Sequence, residues 1–222
     1  MKTTAIIVAA GSGSRFNSET PKQFLDLLGR PVVSHSIARF EAAPSVDAIV
    51  LVVAPEQLER FGSSSLTKPF LIAEGGLTRA HSVLNGIKAA VNGTSIVAVH
   101  DGARPLISVE EIEKTIETAK TTGAACLVAP VTDTIKTISN DKITSTLDRS
   151  KLRRALTPQV FDIDVLKRAF EKVELTDVVT DECYLVEKLG FPITFVEGSS
   201  RNIKITHRED LVFAEALMKQ DV

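Results

Sequence analysis

Two basic residues that follow the first apolar stretch of the chain have the chemistry needed to hold a polyphosphate. The stretch "TTAIIV" leads into "AAGSGSRFNSETPKQF", which contains Gly11, Gly13, Arg15 and Lys22. Glycines in a turn after a strand allow backbone N–H groups to approach a phosphate closely. Two fixed cations would then neutralise charge at a transferred phosphorus and on a departing pyrophosphate. A surface turn with incidental cations is the alternative interpretation.

The same segment lacks the residues of two common nucleotide-binding loops. A dinucleotide fingerprint needs a third glycine where Phe16 stands and an acidic residue where the second strand ends in "VVAP". A kinase-type loop needs the triplet Gly-Lys-Ser/Thr, which does not occur in the chain. These departures argue against a nicotinamide-dependent oxidoreductase and indicate a different kind of phosphate site.

Polar residues also follow a later apolar stretch, in the segment "VHDGARP" at residues 99–105. Asp101 is suited to hold ribose hydroxyls or a metal ion, and Arg104 can grip a phosphate with its planar fork. A structural Asp–Arg pair is the alternative. We expect His100 to be a packed, hydrogen-bonded core residue.

Two other segments are less specific. In "GGLTRAHS", at residues 75–82, small residues would permit backbone contact with a base, although a plain turn before a helix explains them nearly as well. The segment "RNIKIT", at residues 201–206, alternates like a strand, so Lys204 points to a cleft or to solvent. Thr180 taken alone is typical of a helix N-cap.

The elements that must position these residues alternate between strands and helices. Continuously apolar, β-branched runs predict strands at 4–10, 48–54, 95–100 and 124–130, with another at 193–198. Amphipathic spacing predicts helices at 33–43, 79–91, 109–122, 163–173 and 181–189, and a last one from about 206. Capping boxes are predicted at Ser108–Glu111 and at Thr206–Glu209. This alternation favours an α/β fold with a mainly parallel sheet that binds ligands at the carboxyl ends of its strands.

The strand–helix alternation is interrupted at residues 132–150, where two Thr/Ile-rich stretches flank Ser139-Asn140-Asp141 and predict a β-hairpin. Its polar character suggests a projecting arm that packs on a partner.

Bulk composition limits the classes of function. The 222 residues suit one domain, and a net charge of −2 argues against binding of nucleic acid through a broad basic surface. Cys126 and Cys183 form no CxxC motif, so we expect no zinc cluster and a cytoplasmic location. We predict no targeting segment and no membrane span.

The ordered set of motifs resembles the sugar-phosphate nucleotidyltransferases, and within them the 2-C-methyl-D-erythritol 4-phosphate cytidylyltransferase family of the non-mevalonate isoprenoid pathway. After "AAGSGSRF…PKQF" come "GGLTRAHSVLNGI", "VHDGARPLI", "PVTDTIK", "LDR", "ALTPQVF", "TDE" and "NIKIT". The resemblance covers nearly the whole chain. It implies one Rossmann-like three-layer domain over residues 1–222, with a β-arm at about 132–153 inserted for dimerisation.

The resemblance also implies roles for individual residues. The catalytic residues would be Arg15, Lys22 and Lys204. The nucleotide would be bound by Ala9, Ala10, Gly11, Gly13, Gly75, Gly76, Arg79, Ser82, Asp101 and Gly102. The polyol phosphate would be bound by Arg104, Thr134, Arg149, Thr157 and Thr180, with Arg149 reaching the site of a partner subunit in a homodimer. Leu77 stands where the family pattern has an acidic or polar residue.

The expected reaction is transfer of CMP from CTP to 2-C-methyl-D-erythritol 4-phosphate. Mg²⁺ would be held mainly by the CTP phosphates, with Asp101 as a candidate ligand. A cytidylyltransferase for another polyol phosphate, such as ribitol 5-phosphate, is the nearest alternative, although "HDGARP" and "ALTPQ" replace the "HDSVRP" and "GQTPQ" expected there. A non-catalytic nucleotide-binding module is a less favoured alternative. Because the sequence stops soon after its last predicted helix, we expect no fused cyclase.

Overall fold

A mainly parallel sheet forms the centre of the molecule, as predicted, and it has seven strands. The computed structural model describes residues 1–11, 16, 20–61, 66–175 and 179–220. In chain order the strands of this sheet are β1 (Lys2–Ala9), β4 (Ala48–Val53), β5 (Phe70–Glu74), β6 (Thr94–Asp101), β7 (Ala124–Pro130), β10 (Arg153–Asp162) and β11 (Thr194–Glu197). They lie in the order β11-β7-β10-β6-β1-β4-β5, and β10 alone runs antiparallel to its neighbours.

Helices cover both faces of this sheet. They are α1 (Val32–Ala42), α2 (Arg79–Lys88), α3 (Val109–Thr122), α4 (Ile163–Lys172) and α5 (Glu182–Lys188). A sixth helix, α6 (Arg208–Lys219), packs through Ala214 in a separate apolar cluster with Leu27, Val32 and Ile205. The apolar residues of α1 and α3 pack on one face, and those of α2, α4 and α5 pack on the other. Because β4 is covered on both sides, all six of its residues are buried, which explains its unbroken apolar sequence.

Local signals set several helix ends. The predicted capping box at Ser108–Glu111 is confirmed, and α3 ends at Gly123 with a left-handed φ of 83°. The box predicted at Thr206–Glu209 is wrong by one residue. The Asp210 carboxylate accepts from the backbone N–H groups of Thr206 and His207, both at 2.7 Å, and the helix begins at Arg208.

Strand β10 was not predicted from the sequence, and the strand predicted at residues 201–206 is wrong. Strand β10 contains Pro158, and its pairing with β7 shifts register between Ala155 and Gln159. A proline inside a run argues against a central strand when only the sequence is considered. Residues 201–206 contain no strand, although Ile205 is fully buried.

The predicted hairpin is present as β8 (Lys136–Ser139) and β9 (Lys142–Thr146), which pair with each other in a separate two-stranded sheet. Asn140 and Asp141 have φ values of 47° and 60°, as a two-residue hairpin turn requires. A shorter hairpin, β2 (Asp26–Leu27) and β3 (Arg30–Pro31), precedes α1. Among the residues that the structure describes, no helix is long and apolar enough to span a membrane.

Candidate functional site

A cavity of about 470 Å³ opens at the carboxyl ends of β1 and β6. Several residues predicted from the sequence line it: Ala9, Ala10, Gly11, Lys22, Gly76, Arg79, Ser82, Asp101 and Lys204. Gly13 and Arg15 lie outside the described residues. Residues 8–11 and 101–103 meet here because β1 and β6 are parallel and end at the same edge of the sheet. Residues 204–206 join them through the Ile205 N–H, which donates to the Ala103 carbonyl at 2.8 Å.

The carboxylate of Asp101 is the centre of the charged network in this cavity. Its Oδ1 lies 3.1 Å from Arg79 Nε, and its Oδ2 lies 2.9 Å from Lys204 Nζ and 3.4 Å from Arg104 Nε. Burial raises the pKa of this carboxyl, but the charges of Arg79, Lys204 and Arg104 outweigh burial and hold the pKa well below its usual range. Asp101 is therefore ionised at neutral pH.

Arg79 connects Asp101 to a second carboxylate that the sequence analysis did not select. Its Nη1 donates to Glu182 Oε1 at 2.7 Å, and Glu182 is completely buried. Burial lowers the pKa of the Arg79 guanidinium, but the charges of Glu182 and Asp101 outweigh this effect and raise it. Burial also raises the pKa of Glu182, against the attraction of Arg79. Arg79 is thus held between two carboxylates.

His100 and Thr157 lie beneath the cavity. The His100 Nε2 atom is 3.2 Å from the Arg104 carbonyl oxygen, which can only accept, so Nε2 carries the ring proton. Burial lowers the pKa of His100 to about 4, so Nδ1 is an acceptor for the Thr157 hydroxyl at 3.0 Å. That hydroxyl also accepts from the Asp101 N–H at 3.1 Å. The structure thus places Thr157 as a support for the Asp101 backbone, with 3% of its surface exposed.

Gln23 is a buried residue of the cavity that the sequence analysis overlooked. Lys22 and Gln23 lie on a short 3-10 helix, Lys22–Phe24, and both line the cavity. Gln23 Nε2 donates to the backbone carbonyls of Ala9 at 2.6 Å and Gly11 at 2.8 Å. It therefore ties the end of β1 to the segment that carries Lys22. Its position one residue after Lys22 in the "PKQF" motif is the signal that was available.

The glycines at the start of α2 are required by contacts within the protein. A Cβ on Gly75 would lie 2.3 Å from the Ala10 Cβ, and one on Gly76 would lie 2.4 Å from the His81 Cβ. The Ser82 hydroxyl also accepts from the Gly76 N–H at 3.0 Å. Packing therefore accounts for both glycines, and their predicted contact with a base stays a prediction.

Besides Thr157, the four other residues predicted to bind the polyol phosphate do not line this cavity. Arg104 lies just behind Asp101, and its Nη1 donates to the Asn202 carbonyl at 2.9 Å. Thr134 and Thr180 are exposed, and the N-cap of α5 is Asp181, not Thr180. Arg149, also exposed, donates to the Thr132 carbonyl at 2.6 Å. The predicted roles of these residues in substrate binding stay predictions. Gly102, whose N–H donates to the Val8 carbonyl at 2.9 Å, also lies outside the lining.

The donor set does not fit a metal ion held by protein side chains alone. Asp101 is the only carboxylate among the described lining residues, and both of its oxygens already face cations. No group of three or more His, Cys, Asp or Glu side chains suited to a metal occurs in the described parts of the chain. A divalent ion at this site would therefore depend on ligands supplied by a bound phosphate.

Comparison with known proteins identifies similar sequences along nearly the entire chain. A family model described as 2-C-methyl-D-erythritol 4-phosphate cytidylyltransferase matches residues 3–220. Proteins of that name from Syntrophus aciditrophicus and Alkaliphilus oremlandii are 39% and 42% identical to this chain, respectively. The two alignments cover 99% and 98% of this chain and 97% and 95% of the relatives.

Solved structures give the same result. A 4-diphosphocytidyl-2C-methyl-D-erythritol synthase from Anaerococcus prevotii superposes with a TM-score of 0.86 at 30% identity, covering 98% of both chains. A 2-C-methyl-D-erythritol 4-phosphate cytidylyltransferase from Thermus thermophilus superposes with a TM-score of 0.78 at 32% identity, covering 99% of this chain and all of the other.

Proposed function

This chain belongs to the 2-C-methyl-D-erythritol 4-phosphate cytidylyltransferase family, and we infer that it transfers CMP from CTP to 2-C-methyl-D-erythritol 4-phosphate. The products are 4-diphosphocytidyl-2-C-methyl-D-erythritol and pyrophosphate. The observation that carries this conclusion is the family match over residues 3–220, which includes every segment that lines the cavity. The cavity itself contains cations suited to a triphosphate, with Lys22 and Lys204 on its walls.

The chemistry needs no general base from the protein. A phosphomonoester has a second pKa of about 6 and is mostly a dianion at neutral pH, so its oxygen can attack the α-phosphorus of CTP directly. His100 is buried and neutral, which agrees with a structural role. The task left to the protein is to bring two anions together and to stabilise charge in the transition state. We assign that role to Lys22 and Lys204, which line the cavity, and to Arg15 by its motif.

We further propose that Mg²⁺ enters as its complex with CTP. When bound, the ion neutralises part of the charge of the triphosphate. The arrangement around Asp101 supports this proposal because a metal ion needs phosphate oxygens to complete its ligands there. Titration of CTP binding with and without a chelator tests it, and equal affinity in both would contradict it.

A substrate panel tests the proposed reaction. The protein is incubated with Mg²⁺, each of the four common ribonucleoside triphosphates and several polyol phosphates, and the nucleoside-diphosphate products are identified by mass spectrometry. We expect the cytidine product of 2-C-methyl-D-erythritol 4-phosphate. A product from ribitol 5-phosphate alone would replace the proposed substrate, and no product from any pair would indicate a non-catalytic nucleotide-binding module.

We also propose a cytoplasmic homodimer in which the hairpin of β8 and β9 packs on the partner and Arg149 reaches the partner's site. The support is local. The hairpin pairs with no strand of the central sheet, and Ile138 and Ile143 are 74% and 67% exposed on it. Analytical ultracentrifugation at micromolar concentration should show a dimer that is lost when both isoleucines are replaced by Ser. A monomeric parent protein would contradict the proposal.

A further inference from the structure

Glu182 is a buried charged residue that does not line the cavity, yet it contacts a residue that does. It is the first residue of α5 and is fully buried. Its Oε1 accepts from Arg79 Nη1 at 2.7 Å, while Arg79 Nε is 3.1 Å from Asp101 Oδ1. One guanidinium therefore connects Glu182 to the central carboxylate of the site.

The backbone of Glu182 is held by a separate set of contacts. Gln159, on β10, accepts from the N–H groups of Glu182 at 3.1 Å and Cys183 at 3.0 Å. Its amide also donates to Asp181 Oδ2 at 2.9 Å, while Asp181 Oδ1 caps the helix through the Tyr184 N–H. Because these contacts do not involve Arg79, the backbone that carries the Glu182 carboxylate is held in place by the sheet and the helix cap, independently of Arg79.

Stability alone does not explain this carboxylate. Its second oxygen, Oε2, is buried and accepts no hydrogen bond from the described residues. A buried ion pair is often no more stabilising than an apolar pair of similar shape, and an unpaired buried oxygen adds a further cost. A charge in this position therefore calls for a role beyond folding.

We propose that Glu182 is a positioning residue that orients Arg79 for nucleotide binding. With Nη1 held by Glu182, the Arg79 guanidinium presents Nε to Asp101 Oδ1 and leaves Oδ2 to Lys204 and Arg104. Arg79 keeps 25% of its side chain exposed, so without Glu182 it can swing away from Asp101. This inference rests on the proposed function, which makes the cavity wall formed by Arg79 and Ser82 the nucleotide side.

A double-mutant cycle tests whether Glu182 acts through Arg79. The four proteins are the parent, Glu182→Gln, Arg79→Gln and the double variant. Gln keeps the shape of Glu182 and removes its charge, so we expect the variant to fold. CTP affinity is measured by calorimetry with Mg²⁺, and the KM values of both substrates are measured by product formation.

We expect Glu182→Gln to weaken CTP binding roughly tenfold. That effect lies within the range of coupling energies for two residues in contact, as Glu182 and Arg79 are. The KM of the polyol phosphate should change by less than about twofold, because Lys204 and Arg104 keep their contacts with Asp101. In the Arg79→Gln background the same substitution should have almost no further effect. A purely structural role would instead give additive losses and would raise both KM values together.

Glu41→Gln is the matched control. Glu41 lies on α1, outside the cavity. Like Glu182, it has one oxygen that accepts a hydrogen bond, in this case from the Thr67 backbone N–H at 2.7 Å, and one buried oxygen that accepts none from the described residues. We expect it to leave CTP affinity unchanged.

The outcomes separate this inference from the proposed function. A parent protein that neither binds CTP nor forms product would overturn the proposed function and this inference with it. An active parent whose Glu182→Gln variant binds CTP equally well, or whose losses add in the cycle, would overturn the inference alone.

Discussion

Replacing Asp101 by Asn removes the one negative charge that Arg79, Arg104 and Lys204 share. The carboxylate has only 10% of its side chain exposed, and the three cations lie 2.9 to 3.4 Å from it. Breaking a buried pair by removing one partner costs about 3–5 kcal/mol. Arg79 and Lys204 keep 25% and 35% of their side chains exposed to water, so we expect a cost at the lower end of this range, about 3 kcal/mol. For a protein of this size that loss lowers Tm by about 6–12 °C.

The pH dependence of this loss identifies its cause. The pKa of Asp101 is held below its unfolded value of about 3.9, so its contribution to stability is complete above that pH and is lost as the pH falls further, through the folded pKa. The difference in unfolding free energy between the parent and Asp101→Asn should therefore be constant from neutral pH down to about 4 and should shrink below it. Urea unfolding of the parent and the variant, followed by circular dichroism at a series of pH values, measures the loss of unfolding free energy and its pH dependence. A variant within about 1 kcal/mol of the parent at neutral pH would refute the assigned role of the network.

Other perturbations give equally specific results. Lys22→Ala and Arg15→Ala should each lower kcat by about 10²–10³-fold with the fold intact, and turnover like that of the parent would contradict their assignment. Gln23→Glu places a carboxylate against two backbone carbonyls, so the free energy of unfolding should fall by about 1–3 kcal/mol, as measured with urea. An unchanged urea midpoint would be inconsistent with these two hydrogen bonds. Since burial lowers the pKa of His100 to about 4, an NMR titration of its ring should have its midpoint there. The stability that the neutral ring contributes should be present above its unfolded pKa of about 6.5 and be lost as the pH falls toward 4; a ring that titrates near 6.5 would contradict the buried neutral state.

Much of the framework could be predicted because its signals are local. The unbroken apolar runs of β4 and β7 predict buried strands, and residues 109–122 predict α3 with its correct ends. The left-handed turn at Asn140 and Asp141 follows from residues that tolerate positive φ. The motifs that contain Lys22, Asp101 and Lys204 were recognisable for the same reason, since each lies within a few residues of sequence.

Contacts between distant segments could not be predicted in this way. Residues 201–206 have the alternation of a strand but form none, and Lys204 still reaches Asp101 because the neighbouring Ile205 N–H is bonded to the Ala103 carbonyl at 2.8 Å. Strand β10 contains a proline and nevertheless lies inside the sheet, where it pairs with β6 on one side and β7 on the other. Pairing with strands this distant in sequence leaves no local signal.

The amino-acid sequence by itself determined the strand–helix order, the turns, the family and the identity of the cationic residues, because each depends on short-range pattern. Only the tertiary structure decided that Glu182 faces Arg79, 103 residues away along the chain, and that Gln159 holds the helix that carries it. A buried polar residue gives no periodic signal of its own, and its partner is chosen by how the sheet and helices pack. For that reason the charges were predictable and the way they are held was not.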